Sequence, residues 1–417
     1  MLNRRHFLGA TGLSLATLGL PARLAHASTG SDLKFIFVFA QGGWDPTRVF
    51  ATEFGNNNVD MEADAEVATV GGIQFVDHPN RPSVRTFFES WHDRSVVFNG
   101  VMVRSIAHEI CTMIAMTGTT SGVSPDWPAV LADKERNAFT LPHLVLGGPS
   151  FPGELGVAVA RTGGNGQLEA LLSGTAVDMS DQYAGGPSSP AENLIDRWVA
   201  RRAQARSMGA RNALETALLN DFHTATSHAS ALKDLQYVMD FSGGTDLTDQ
   251  GAVAVEALRN GVSRCLTLST GSGGWDTHTN NDNDQSILWE NTFNGLGQLL
   301  NLLRATPGST SATLADETVV VLLSEMGRTP KLNVFSGKDH WPYTSAMIVG
   351  PRLTGSRVVG GFDRQYYGQS VDTVSGEVSD TGAVLSAESI GATLLAMADI
   401  DPTPYVSGVD PIMGVLE

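Results

Sequence analysis

The run Leu33-Lys-Phe-Ile-Phe-Val-Phe-Ala40 is apolar at almost every position and stops abruptly at Gln41-Gly42-Gly43-Trp44-Asp45. A strand with one face in water alternates apolar and polar side chains. This run has no polar side to offer, so it belongs in the middle of a sheet covered on both faces. The same texture recurs at Ser95-Val-Val-Phe-Asn99, Leu144-Val-Leu146, Val262 to Ser269 and Thr318 to Leu323. Helical periodicity lies between and after these runs, at Glu109 to Met116, at Leu288 to Arg304 before Pro307-Gly308, and at Ser386 to Ala398 before Asp401-Pro402. Strands alternating with helices predict an α/β fold: a doubly wound, mostly parallel sheet flanked by helices.

Residues 190–260 are rich in Ala and Leu and predict a helical insertion or cap over that sheet. Ser189-Pro-Ala-Glu192 supplies a cap serine, a proline at the first helical position and a glutamate at the third. Leu194, Ile195 and Trp198 should then form an apolar face. Gly185-Gly-Pro-Ser-Ser189 and Ser242-Gly-Gly-Thr245 read as the boundaries. Cys111 and Cys265 are the chain's two cysteines and each sits in an apolar stretch. One possible bridge is no disulfide framework, and two buried thiols are expected.

The N-terminus is an address. Arg4-Arg5 precedes Phe7-Leu8, a moderately apolar run from Gly9 to Leu20, and Ala25-His26-Ala27. A basic start, a short hydrophobic stretch and a small-x-small cleavage site make an export signal, and the paired arginines make it look like a twin-arginine signal over residues 1–27. The expected partners are then the twin-arginine export machinery and a signal peptidase, and the expected destination is the periplasm or beyond. The apolar run is too short and too rich in Gly, Ser and Thr for a membrane anchor, and no later run is long enough to span a bilayer. The formal charge is −17, and residues 1–27 hold three arginines and no acid, so the chain without them stands at −20. An acidic surface of that size repels nucleic acid and anionic membranes. An anionic substrate would need local positive charge.

Chemistry is expected where parallel strands end and loops begin. Asp45 follows the first strand, Gly273-Gly-Trp-Asp276-Thr-His278 follows the strand at 262–269, and Ser324-Glu325-Met326-Gly-Arg328 follows the strand at 318–323. Lys338-Asp339-His340-Trp341 comes shortly afterwards. Carboxylates and imidazoles converging from separate strand ends suit a divalent ion such as Zn, Mg, Mn or Ca. Two cysteines cannot ligate an iron–sulfur cluster, and Gly147-Gly148-Pro149 lacks dinucleotide-binding spacing.

The order strand-Gly-Gly-Trp-Asp, His-x8-Thr-Gly, Gly-Gly-Trp-Asp-Thr-His, Ser-Glu-Met-Gly-Arg-Thr-Pro and Asp-His resembles the domain of unknown function 1501 family, from residue 33 to about 400. That family is related to the alkaline phosphatase and sulfatase superfamily. The resemblance implies an alkaline phosphatase-like fold and a two-metal hydrolase site. Asp45 would ligate one metal. Asp276, with His278, would hold the other, and Glu325 and His340 would complete the ligands. Counting back from Thr117-Gly118 puts His108 where the superfamily carries a Ser, Thr or modified Cys nucleophile, so His108 would be a base, a ligand or a phosphate acceptor. Met326 stands in place of a ligand histidine. Arg328 or Lys338 would clamp an anionic ester. Trp44, Trp275 and Trp341 either shape a pocket or belong to the core.

Two functions follow. The first is an exported, metal-dependent hydrolase of phosphate or sulfate esters. The second is a catalytically degraded protein of the same fold that serves as a binding or assembly module at the cell envelope.

Overall fold

A computed structural model describes residues 32–162, 189–235, 244–271 and 274–417. The expected signal at 1–27 lies outside the described residues, as do 185–188 and 242–243 of the two boundary turns and Gly273. The eight strands of the central sheet are β1 (Lys34–Ala40), β2 (Ser95–Met102), β3 (His143–Val145), β4 (Val159–Arg161), β5 (Cys265–Ser269), β6 (Thr318–Ser324), β7 (Tyr343–Val349) and β8 (Arg357–Gly360). The helices are α1 (Pro82–Trp91), α2 (His108–Thr117), α3 (Trp127–Asp133), α4 (Ser189–Ser207), α5 (Ala213–Leu235), α6 (Leu247–Arg259), α7 (Asn281–Ala305) and α8 (Ala387–Met397).

The sheet runs β8-β2-β7-β6-β1-β5-β3-β4. β1 lies parallel between β5 and β6, and β7 alone runs antiparallel to its neighbours β2 and β6. This is the doubly wound, mostly parallel sheet expected from the apolar runs. β1 is buried along its whole length and feeds two cores. Ile36, Val38 and Ala40 pack with side chains of α1, α6 and α7. Phe35, Phe37 and Phe39 pack with those of α3 and α8. Each fully buried aromatic of this kind contributes about 1.5–3 kcal/mol over its exposed state, so a polar residue anywhere in β1 would damage one face or the other.

Register decides where the loops emerge. Ala40 pairs with Ser324 and Phe39 with Ser269, so β1, β5 and β6 end level with one another. Being antiparallel, β7 begins at the edge where they end. The short strand His340–Trp341, just ahead of β7, therefore pairs with Gly327–Arg328, just beyond β6. The sequence reading overlooked β7, β4, β8 and the hairpin Glu66–Val70/Ile73–Asp77. β7 opens Tyr-Thr-Ser before its apolar half, and the others are short or half exposed, which blurs their periodicity.

Two further points bear on the expectations. Helices do cover 189–207, 213–235 and 247–259, but Leu194, Ile195 and Trp198 are exposed rather than packed on the sheet. α4 packs on α5 and buries Ala203, leaving its larger apolar groups outside. Cys111 and Cys265 are both buried and free. Among the described residues no helix is long and apolar enough to cross a membrane.

Candidate metal centre

The level strand ends bring Gly42–Asp45, Gly274–His278 and Glu325–Arg328 onto one edge of the sheet. The crossing is tight enough to require glycine at position 42. Its φ is +125°, and a Cβ there would stand 2.7 Å from the Asp276 backbone nitrogen. The Gly42 N–H donates to Glu325 Oε1 at 2.7 Å. A side chain at Gly42 would therefore push apart the β1 and β5 loops and break their link to Glu325.

Three histidines converge above this crossing, each held by its Nδ1. His108, the first residue of α2, donates Nδ1–H to Glu325 Oε1 at 2.9 Å. His278 donates to Asp339 Oδ1 at 2.9 Å, and His340 to the Ile106 carbonyl at 2.7 Å. All three acceptors are carbonyl or carboxylate oxygens, so Nδ1 carries a hydrogen, and in the neutral form of each ring Nε2 is left with a lone pair. The three Nε2 atoms meet at Asp276. His278 Nε2 and His340 Nε2 are 3.0 Å apart, and each is 3.1 Å from Asp276 Oδ1. His108 Nε2 faces the other oxygen, Oδ2, at 3.4 Å. One ligating atom from each of His108, Asp276 and His340 lies within 4.8 Å of the others.

With the two rings neutral, three acceptors in mutual contact repel unless a proton or a metal ion joins them. Atoms bound to one tetrahedral ion at about 2.0–2.1 Å stand roughly 3.3 Å apart, close to the triangle formed by His278, His340 and Asp276. An imidazole fixed through Nδ1 by a carboxylate or carbonyl is the usual arrangement around a ligated metal. The donor set therefore fits a divalent ion. The electrostatics agree. Partial burial alone would raise the Asp276 carboxyl, but the hydrogen bond and charge of Arg328 foremost hold it at about 2. The hydrogen bond to Glu325 raises His108 above the ordinary imidazole value, outweighing the lowering effect of its partial burial. The His278 N–H lowers Asp339.

The sequence model for the protein of unknown function DUF1501 matches residues 32–409. The chain belongs to the DUF1501 family. No curated protein matches this DUF1501 sequence. Solved structures similar to it include the lipoteichoic acid synthase LtaP from Listeria monocytogenes, at 10% identity and TM-score 0.41, covering 96% of this chain and 80% of that one. A protein in the alkaline phosphatase superfamily from Vibrio parahaemolyticus aligns at 8% identity and TM-score 0.36, covering 96% and 76%. The phosphonate monoester hydrolase SpPMH from Silicibacter pomeroyi aligns at 12% identity and TM-score 0.36, covering 91% and 77%. These are likenesses of fold, and the chemistry of the DUF1501 chain must be argued from its own residues.

Four of the expected site residues in this DUF1501 chain meet: His108, Asp276, His278 and His340. Glu325 stands one step behind them, fully buried, with Oε1 taken by Gly42 and His108 and Oε2 facing Ser324 Oγ at 3.2 Å. Asp45 is apart from the cluster and enclosed. Its Oδ1 accepts from Thr47 N and Oγ1 at 3.0 and 2.7 Å, and its Oδ2 from Asn281 Nδ2 at 3.0 Å and Lys338 Nζ at 2.8 Å. Burial alone would raise this carboxyl, but Lys338 and Arg48 hold it well below the carboxylate range. Burial in turn pushes Lys338 down to about 8 against the pull of Asp45.

The expected anion clamps are corrected by the structure. Lys338 and Arg328 are both fully buried. Arg328 donates Nε–H to Gly43 O at 2.8 Å, Nη1–H to Lys338 O at 3.2 Å, and Nη2–H to Gly42 O and to Asp276 Oδ1, the latter at 2.6 Å. It fastens three loops together and aims Asp276, and its fork is already filled from inside. Met326 packs with Val103, Cys111, Ile114 and Ala387. Trp44 and Trp275 are core, with Trp44 stacked on Trp289 at 4.8 Å. Trp341 stacks on Tyr367 at 5.5 Å and donates to Tyr366 O.

Asp339 was quoted beside His340 but given no role, and Asn281 and Gln285 were not singled out from the sequence. An acid directly before His340 was a visible signal. So were two amides at i, i+4 in the first turn of α7: Gln285 accepts from Asp45 N at 2.9 Å and donates to Trp275 O at 3.0 Å, stitching the β1 and β5 loops together.

Proposed function

We propose that this DUF1501 protein is an exported, metal-dependent hydrolase of phosphate or sulfate esters. The observation that carries the reading is the acceptor triangle of His278 Nε2, His340 Nε2 and Asp276 Oδ1, with every Nδ1 already engaged. Asp276, His278 and His340 would hold a divalent ion. Two imidazole nitrogens with one carboxylate oxygen suit Zn or Mn better than Mg or Ca. Such an ion, when bound, supplies Lewis acidity toward an ester oxygen. The rest is the work of this chain's own residues. His108, held by Glu325, presents Nε2 beside the open oxygen of Asp276 and can take a proton from an attacking water. Arg328 keeps Asp276 ionised and fixed. The twin-arginine segment at 1–27 would carry the folded protein through the export machinery to a signal peptidase, and the mature chain would work outside the cytoplasm.

A binding role without turnover is favoured by one observation. Arg328 and Lys338, the cations expected to hold an anionic ester, are enclosed. One experiment separates the two readings. The mature protein is stripped with chelator, reloaded with Zn or Mn, and assayed on p-nitrophenyl phosphate and p-nitrophenyl sulfate beside His108→Ala. The hydrolase reading expects turnover that needs the metal and falls in His108→Ala while the metal stays bound. A metal-loaded protein that turns over neither ester contradicts it and leaves the binding role.

A further inference from the structure

We propose that the centre is mononuclear, and that Lys338 does from inside the protein what a second metal ion would do for Asp45. The inference rests on the metal reading above and concerns how many ions that site can take. The family resemblance implies two ions, with Asp45 and Glu325 among the ligands. The residues present do not fit the second one.

An ionised carboxylate has about four lone-pair positions. At Asp45 four donors occupy them: Thr47 N, Thr47 Oγ1, Asn281 Nδ2 and Lys338 Nζ, all between 2.7 and 3.0 Å. Asp45 and Lys338 are both fully buried, so neither side chain can swing into solvent to clear a coordination position. Lys338 is anchored further by Thr47 Oγ1 at 3.0 Å. Glu325 is committed at Oε1, which serves both Gly42 N and His108 Nδ1, and its fully buried Oε2 faces Ser324 Oγ at 3.2 Å.

Charge points the same way. Behind Asp45 lies Arg48, whose Nε is 3.7 Å from Asp45 Oδ2 and 3.9 Å from Glu62 Oε2, and whose Nη2 pairs with Asp282. Arg81 pairs with Glu62 at 2.6 Å. Lys338, Arg48 and Arg81 thus face Asp45, Glu62 and Asp282, three cations against three anions. A divalent ion placed on Asp45 would touch the ammonium of Lys338 and break a balance that is already closed. The His278, His340 and Asp276 triangle has the opposite character: one fixed donor, Arg328 Nη2–H, reaches Asp276 Oδ1 at 2.6 Å, the neutral imidazoles add only lone pairs at Nε2, and all three side chains reach solvent. One position has acceptors left to fill and the other has none.

The test is a count of metal by elemental analysis on chelator-stripped protein reloaded with Zn and desalted, for the wild type and for Asp45→Asn/Lys338→Met. The double variant removes both charges together and so leaves no buried ion unpaired. One Zn per chain is expected in both. Two per chain in the wild type overturns this proposal and leaves the metal reading standing. None in the wild type overturns the metal reading and this proposal with it. A folded double variant that has lost its only Zn also overturns the proposal, because Asp45 would then be a ligand. Should the double variant fail to fold, the wild-type count stands with anomalous diffraction of the Zn form, where a single peak beside His278 and His340 is expected. A peak beside Asp45 would refute it.

Discussion

Replacing Glu325 separates shape from charge at the hub of the site. Glu325 Oε1 accepts from both Gly42 N, at 2.7 Å, and His108 Nδ1, at 2.9 Å, in a fully buried setting. Glu325→Gln can keep its amide oxygen on both donors while its NH2 group faces Ser324 Oγ. It therefore keeps the geometry and loses the charge. A hydrogen bond to a charged group contributes about 1.5–3 kcal/mol and a neutral one about 0.5–1.5, so the His108 contact should weaken by about 1 kcal/mol, roughly fivefold. Glu325→Ala strands the Gly42 N–H in the interior, at about 1–3 kcal/mol, and releases the Nδ1–H of the partly exposed His108, so it should cost about 2–4 kcal/mol of stability. The Glu325 hydrogen bond is the main reason His108 binds its proton more tightly than a free imidazole. A histidine raised in the fold stabilises it fully below the unfolded value near 6.5 and loses that contribution as pH rises through the folded value. The assay is a pH titration of the His108 ring by nitrogen-resolved NMR on metal-free protein, beside thermal melts from pH 5 to 8. In Glu325→Gln the midpoint should fall, the proton should stay on Nδ1 in the neutral ring, and the pH dependence of the melting temperature should flatten. An unchanged midpoint would refute the claim that Glu325 sets the state of His108.

Other outcomes follow from the same contacts. Gly42→Ala forces a Cβ to 2.7 Å from the Asp276 nitrogen at a φ of +125°; it should lower the melting temperature and abolish metal binding together, whereas loss of neither would show that the loops do not cross as described. Glu317 is buried on Lys34 at 2.6 Å and accepts from the N–H groups of Ser309, Thr310 and Ser311. Burial alone would raise it, but these partners lower it from the ordinary 4.5 to about 2. Its contribution, about 3 kcal/mol at neutral pH, is present above pH 4.5 and lost as pH falls through 2. The stability gap between wild type and Glu317→Gln in urea melts should close over that window, and a constant gap would contradict the pairing. Burial pushes the thiols of Cys111 and Cys265 up, to about 11 and about 12. Iodoacetamide should therefore add nothing to the native protein and two groups after denaturation, as read by intact mass.

The fold was legible because its central strands have only one use. Phe35 to Ala40 can be buried on both faces or nowhere, and the same holds for Val319 to Leu323. The site was legible in outline, since parallel strands put their loops on one edge, and the sequence marks those loops with Gly-Gly-Trp-Asp and Ser-Glu-Met-Gly-Arg. His340 reaches that edge for a reason the sequence hid: the strand it precedes is antiparallel, so its beginning lies where the others end. What the residues could not disclose was pairing. Asp45 reads as a free strand-end acid until Lys338, far along the chain, is seen to fill it. Arg328 reads as a substrate clamp until its fork is found closed on Gly42, Gly43 and Asp276. A charged side chain carries the same letter whether it faces a substrate or a buried partner, and only the packing of distant segments decides between them.

The most direct test of the central claim is calorimetric titration of chelator-stripped protein with Zn, wild type against His278→Ala/His340→Ala. Both histidines lie at the partly exposed side of the site, so the double variant should keep its fold by circular dichroism. The account predicts saturable binding in the wild type and none in the folded variant. Equal binding in both, or none in the wild type, would contradict it.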